Sequence, residues 1–301
     1  MICLETFEEL ISGTGWGVSA PDIDIDHLRD EYNLPHGDTG KWIFEDVGYR
    51  EWRQSRESKL FWLCGGPGTG KTMLAKGVAA EFLGGPDLSG VKLAFHFISP
   101  DLPTDGNSAD DDRLSQLSLT KVASDLLYSI LQQDRSLFNG CKAELERQGD
   151  RFWANPTSLW KVLGKAIRDC RVDPVYIVVD GVDGLNESLC KALIGRILKL
   201  REIRTVKLFL SSRDVPHISN NLPHNSHQYT KINLDTNNFV KEDVEKFIRC
   251  RAVFSAVRGP RRARRRDCQD PGTRRDDKMP SVLVLEFPGR PSLGRTTSPT
   301  I

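Results

Sequence analysis

Leu60-Phe61-Trp62-Leu63-Cys64-Gly65-Gly66-Pro67-Gly68-Thr69-Gly70-Lys71-Thr72-Met73-Leu74-Ala75-Lys76 is the stretch that decides how the rest of the chain is read. A short apolar strand runs into a glycine-rich turn, and the turn opens a helix. From Gly65 through Gly70 and Lys71 to Thr72 it fits G-x-x-x-x-G-K-[ST], the phosphate-binding P-loop. Gly65, Gly66, Gly68 and Gly70, with Pro67 and Thr69 between them, let the backbone curl with its N–H groups turned inward. Glycine accepts positive φ and puts no Cβ in the way of a phosphate. The helix start adds unpaired N–H groups and the positive end of its dipole. Lys71 supplies a mobile charge for the β- and γ-phosphates, and the Thr72 hydroxyl suits one position on an octahedral Mg²⁺. A nucleoside triphosphate is therefore the expected ligand.

Working outward, a second informative run is Pro174-Val175-Tyr176-Ile177-Val178-Val179-Asp180-Gly181-Val182-Asp183-Gly184. Continuous β-branched residues mark a strand buried on both faces of a parallel sheet, and ligands bind at the C-terminal ends of such strands. Asp180 stands at that end and is the candidate second Mg²⁺ ligand, opposite Thr72. Asp183 has two readings: it orients an attacking water, or it caps the helix expected over Glu187 to Leu200. A further strand, Val206 to Leu210, ends in Ser211-Ser212-Arg213-Asp214-Val215-Pro216. Arg213 is placed to report on a γ-phosphate. A salt bridge with Asp214 or another neighbour is its alternative role.

Other stretches fill in the alternation of strands and helices. Helical spacing predicts helices over Lys71 to Leu83, through Leu119 to Leu131, over Phe138 to Arg147, over Ser158 to Arg168 and over Asn238 to Arg251. Strands are expected over Val91 to Ile98 and Tyr229 to Leu234, and the polar stretch Ser99 to Asp112 reads as a surface loop. Trp42, Phe44, Tyr49 and Trp52 are expected to pack a short helix against the sheet edge just before the P-loop strand, with contact to a nucleotide base as their alternative role. The whole pattern predicts an α/β fold, a three-layer sandwich around a mostly parallel central sheet.

Composition narrows the function classes. The 301 residues carry a net charge of +1, but the last fifty hold eleven basic against five acidic side chains, a net of +6, leaving the remainder at −5. A net-acidic body is no general nucleic-acid binder, and no apolar run approaches a membrane span. Seven cysteines are scattered without a C-x-x-C pair, which suits reduced thiols rather than a disulfide frame or zinc site. Together with the lack of a signal peptide, these features predict a cytoplasmic protein with neither membrane nor nucleic acid as partner.

With Gly65 to Thr72, Asp180 to Asp183 and Ser211 to Arg213 in this order, the chain resembles the NACHT group of STAND signalling NTPases. Thr39-Gly40-Lys41-Trp42, Phe61-Trp62-Leu63-Cys64-Gly65 and Ser211-Ser212-Arg213-Asp214-Val215-Pro216 look like signatures of fungal proteins with a nephrocystin-3-like N-terminal domain. The resemblance implies a nucleotide-driven switch that forms homo-oligomers through its NTPase domain when active. Asp183 is followed by Gly184 where that group usually carries Glu, so slow or absent hydrolysis is expected. No sizeable N-terminal effector is expected, and the helical and winged-helix segments of the group are not visible.

The expected organisation is an N-terminal extension over 1–37, the NTPase domain over 38–235, the start of a helical domain over 236–251 and an Arg-rich tail over 252–301. That tail opens with Arg261-Arg262-Ala263-Arg264-Arg265-Arg266 and lacks the apolar content to fold alone. It reads first as a product of a shifted reading frame or retained intron, second as a disordered native tail and third as a nucleic-acid or targeting segment. Two functions compete with the switch: an AAA-like remodelling ATPase or P-loop kinase, and a degenerate scaffold that does not hydrolyse nucleotide. No base-specifying motif separates ATP from GTP.

Overall fold

Five strands, all parallel, form one sheet in the order β2-β3-β4-β1-β5 in a computed structural model that describes residues 39–84, 92–98, 111–148, 152, 155–223, 225 and 227–246. In chain order the elements are α1 (Trp42–Glu45), α2 (Val47–Gln54), β1 (Lys59–Cys64), α3 (Lys71–Gly84), β2 (Lys92–Phe97), α4 (Asp111–Gln133), α5 (Phe138–Gln148), α6 (Pro156–Asp169), β3 (Val175–Asp180), α7 (Glu187–Leu200), β4 (Val206–Ser212), α8 (Pro216–Ser219), β5 (Tyr229–Asn233) and α9 (238–246). The three-layer sandwich read from the sequence is the observed architecture. Element bounds differ from expectation by a few residues, most at α4, which begins at Asp111, well before Leu119 and inside the stretch 99–112 expected as loop. The N-terminal extension, most of the polar loop, Phe247, Ile248 and the Arg-rich tail lie outside the described residues.

Alternation along each strand makes the two layers different in kind. On one face Leu60, Trp62 and Cys64 of β1, with Val175, Ile177 and Val179 of β3, pack against the apolar sides of α4, α6 and α7. On the other face Phe61 and Leu63 of β1, Tyr176 and Val178 of β3 and Phe209 of β4 meet α2 and α3. That second layer is aromatic: Phe61 stacks on Phe209 at 5.3 Å, and Trp52 sits edge-on to Tyr176 at 5.7 Å. Tyr49 and Trp52 therefore pack on the sheet as expected, both buried, but on the face of its central strands rather than at its edge.

The exposed side of edge strand β2 is closed by a helix side chain. Leu93 N–H donates to Gln133 Oε1 at 3.1 Å, and Gln133 Nε2 donates back to the Leu93 carbonyl at 2.5 Å. This blunts a strand that would otherwise template another chain. Because β4 lies between β1 and β3, the C-terminal ends of those three strands converge on one rim. Gly65 N–H reaches the Ser212 carbonyl at 3.3 Å and Gly181 N–H the Ser211 carbonyl at 3.2 Å, which fixes the height of both loops above the sheet.

Candidate functional site

The loop between β1 and α3 has the backbone its glycines predict. Gly68 and Gly70 have φ of 74° and 89°, and a Cβ at either would meet nothing within 4 Å, so it is the left-handed conformation that requires glycine. Gly65 and Gly66 are crowded rather than left-handed. A Cβ would come within 3.0 Å of Leu234 at the first and 3.2 Å of an Asp235 carboxylate oxygen at the second. Lys71 folds back across its own loop, its Nζ donating to the carbonyls of Gly65 and Gly66 at 2.7 Å each.

Thr72, on the first turn of α3, donates its hydroxyl to Asp180 Oδ2 at 2.7 Å. Ser211, at the end of β4, donates to the other oxygen of the same carboxylate. Asp180 is 4% exposed, and burial pushes its pKa above the usual carboxylate range against the pull of the Ser211 and Thr72 hydrogen bonds. A buried carboxylate held up by two hydroxyls is an unfinished electrostatic arrangement, because neither partner supplies charge. An oxygen-only donor set of carboxylate and hydroxyl suits Mg²⁺, so the residues present fit that ion.

Asp183 and Arg213 are brought together. Asp183 lies in a 3₁₀ turn, Val182–Gly184, entered through Gly181 at φ 77°. Its carboxylate accepts from Arg213 N–H at 3.0 Å and from Arg213 Nε at 2.6 Å. The capping role considered for Asp183 is incorrect: Asn186 caps α7, accepting from Leu189 N–H at 2.9 Å, because the intervening turn lifts Asp183 away from the helix start. Nor does Arg213 pair with Asp214, which instead accepts from Lys231 at 2.7 Å. The Arg213 side chain remains about half exposed at the rim.

Ser211 belongs to the motif read from the sequence, but its bond to Asp180 does not follow from it. Two further participants escape motif reading. Asp235, just beyond β5, accepts the Gly66 N–H with both carboxylate oxygens, at 2.8 and 3.1 Å. Asp243 of α9 accepts from Gly40 N–H at 2.8 Å and from the Trp42 indole at 3.1 Å, while Phe239 stacks on Trp42 at 5.8 Å. The rule that singled out Asp180, an acid just past a parallel strand's C-terminal end, applies equally to Asp235.

All described cysteines, Cys64, Cys141, Cys170 and Cys190, are free and buried, and burial raises their pKa to about 11 or 12. They offer no thiolate for chemistry. Among the described residues no helix is long and apolar enough to cross a membrane.

Comparison with known proteins supplies the family. The family model for the nephrocystin 3 N-terminal region matches residues 38–213, from the segment before α1 to Arg213. The chain is also 26% identical over 202 residues to vegetative incompatibility protein HET-E-1 of Podospora anserina, a match covering 65% of this chain and 14% of that protein. The chain thus spans only a small part of that relative's length.

Proposed function

The chain belongs to the nephrocystin 3 N-terminal family, a NACHT-type group, and on that premise we propose that it binds Mg²⁺ and a nucleoside triphosphate, ATP being the expected one, as a signalling switch. The observation that carries this reading is the hydrogen bond from Thr72 to Asp180 at 2.7 Å, which joins the P-loop helix to the end of β3 across 108 residues of sequence. Gly65 to Thr72 would cradle the phosphates through backbone N–H groups, and Lys71 would leave its two carbonyl partners to reach them. When bound, Mg²⁺ would neutralise phosphate charge, with Thr72 and Asp180 as its protein ligands. Ser211 would keep Asp180 in position, and Asp183 would aim the Arg213 guanidinium along the rim toward the end of the phosphate chain.

Slow hydrolysis belongs to the same reading. Gly184 provides no carboxylate where the resemblance implies that the group usually carries Glu, and Asp183 already holds two donors from Arg213. Turnover below roughly one per second is expected, at the bottom of the ordinary enzyme range. Similarity to a vegetative incompatibility protein makes a signalling role, with self-association through the NTPase domain, our proposed context.

Equilibrium binding of MgATP to the wild type and to Lys71→Ala tests the reading. Losing the lysine's charge-assisted contacts is expected to weaken affinity roughly 10- to 100-fold while the thermal melt stays cooperative. Equal affinity in the two proteins, or no saturable binding in either, contradicts it.

A further inference from the structure

Asp235 is an anion built into an anion-binding loop. Its carboxylate bridges onto Gly66 N–H at 2.8 and 3.1 Å, although that group belongs to the glycine-rich turn whose N–H groups serve phosphate. Its position does not depend on that contact alone. Asn233 Oδ1 accepts the Asp235 N–H at 2.9 Å, and Thr236 Oγ1 donates to the Asn233 carbonyl at 3.2 Å, so a local turn holds the acid in place. The turn itself is anchored by buried Leu234 against the loop, and by β5 paired to β1 with Asn233 opposite Cys64. The backbone at Asp235 therefore cannot retreat far without disturbing the end of the sheet.

Resting on the nucleotide-binding reading above, we infer that Asp235 is a specificity-determining residue of the P-loop, setting by charge repulsion how strongly the site discriminates against longer phosphate chains. It satisfies Gly66 N–H. When a polyphosphate enters, its carboxylate stands beside ligand charge, and the repulsion rises with the charge the ligand brings. ATP is opposed more than ADP. The carboxylate is exposed, so water and salt reduce the effect without abolishing it. Lys71 adds a second reason for coupling: its ammonium rests on the Gly65 and Gly66 carbonyls, and Asp235 binds the Gly66 amide, so both charged groups are tied to the same short piece of loop.

Asp235→Asn separates charge from shape, because an amide oxygen still accepts Gly66 N–H. Titration calorimetry of the full chain with MgATP and with MgADP is expected to show tighter ATP binding in Asp235→Asn by roughly three- to tenfold, and a smaller gain for ADP. Asp235→Glu keeps the charge and is expected to show no gain. An Asn variant that binds ATP no more tightly than wild type, or a Glu variant that gains as much as Asn, overturns the inference. Failure of Asp235→Asn to gain affinity while Lys71→Ala loses it would remove the role of Asp235 and leave the nucleotide reading standing. No binding in wild type and none in Asp235→Asn removes both.

Discussion

Two carboxylates flank the P-loop from opposite sides of β1 along the sheet rim, and they are built in opposite ways. Asp180, at the end of β3, is 4% exposed and satisfied by the hydroxyls of Thr72 and Ser211. Asp235, past β5, is exposed and bonded to a backbone amide of the loop. Burial makes the first carboxylate costly as an anion, and a cation relieves that cost. Exposure makes the second inexpensive as an anion, and a second anion beside it is what raises the energy. The position of an acid along the rim therefore says less about its role than its burial and the kind of donor facing it. One is suited to recruit Mg²⁺, the other to resist phosphate.

The contrast breaks most readily at Thr72. Thr72→Val removes the hydroxyl that both supports Asp180 and offers a Mg²⁺ ligand, and the Mg²⁺-dependent part of ATP affinity is expected to fall about tenfold or more. Binding measured with and without a chelator checks this, and an unchanged Mg²⁺ dependence would dissolve the distinction between the two acids.

A buried charge of the other sign sharpens the comparison. Lys207 of β4 is fully buried beneath the opposite end of the sheet, with its Nζ on the Glu57 carbonyl, and burial, with the charge of Lys59 adding to it, pushes its pKa down to about 8. Below that pH both folded and unfolded chains hold the proton, and the native state bears the full cost. Between about 8 and the ordinary 10.5 the folded chain releases its proton first, so stability rises with pH across that window. Lys207→Met is expected to stabilise the protein at pH 7 by roughly 1–3 kcal/mol and to flatten that rise, as read by denaturant unfolding. A destabilised variant would show that the Glu57 carbonyl compensates the buried ammonium fully. The smallest effect is expected at Arg213→Ala, because the pair with Asp183 is half exposed on the arginine side. Unfolding should shift by less than about 1 kcal/mol, while the ratio of ATP to ADP affinity falls. A large stability loss would make the pair a structural clamp.

What the sequence revealed and what it concealed divide along this same line. Gly65 to Thr72 and the run ending at Asp180 are legible because loop chemistry and strand burial are local properties, written in adjacent residues. Arg213 was legible as a strand-end residue, but its partner was not: Asp183 lies 30 residues away and is reached only because β4 packs beside β3. Asp235 binds Gly66 from 169 residues away and Asp243 binds Gly40 from 203, separations at which no spacing rule operates. The aromatic segment before β1 was read correctly as packing for Tyr49 and Trp52. Trp42 packs against the same layer as expected, and in addition stacks on Phe239 and donates its indole N–H to Asp243 of α9, contacts that no local pattern announces.

Asp180→Asn tests the pairing of Thr72 with Asp180 as the cation half of the site most directly. The measurement is ATP affinity of wild type and variant, each by calorimetry in Mg²⁺ and in chelator, alongside the melting temperature without ligand. Wild type is expected to bind ATP at least about tenfold more tightly with Mg²⁺, and the variant to lose most of that difference while melting no lower, since a neutral amide relieves the buried charge. Equal Mg²⁺ dependence in the two proteins, or a variant that unfolds well below wild type, would show that Asp180 holds the rim together and leaves the metal to other groups.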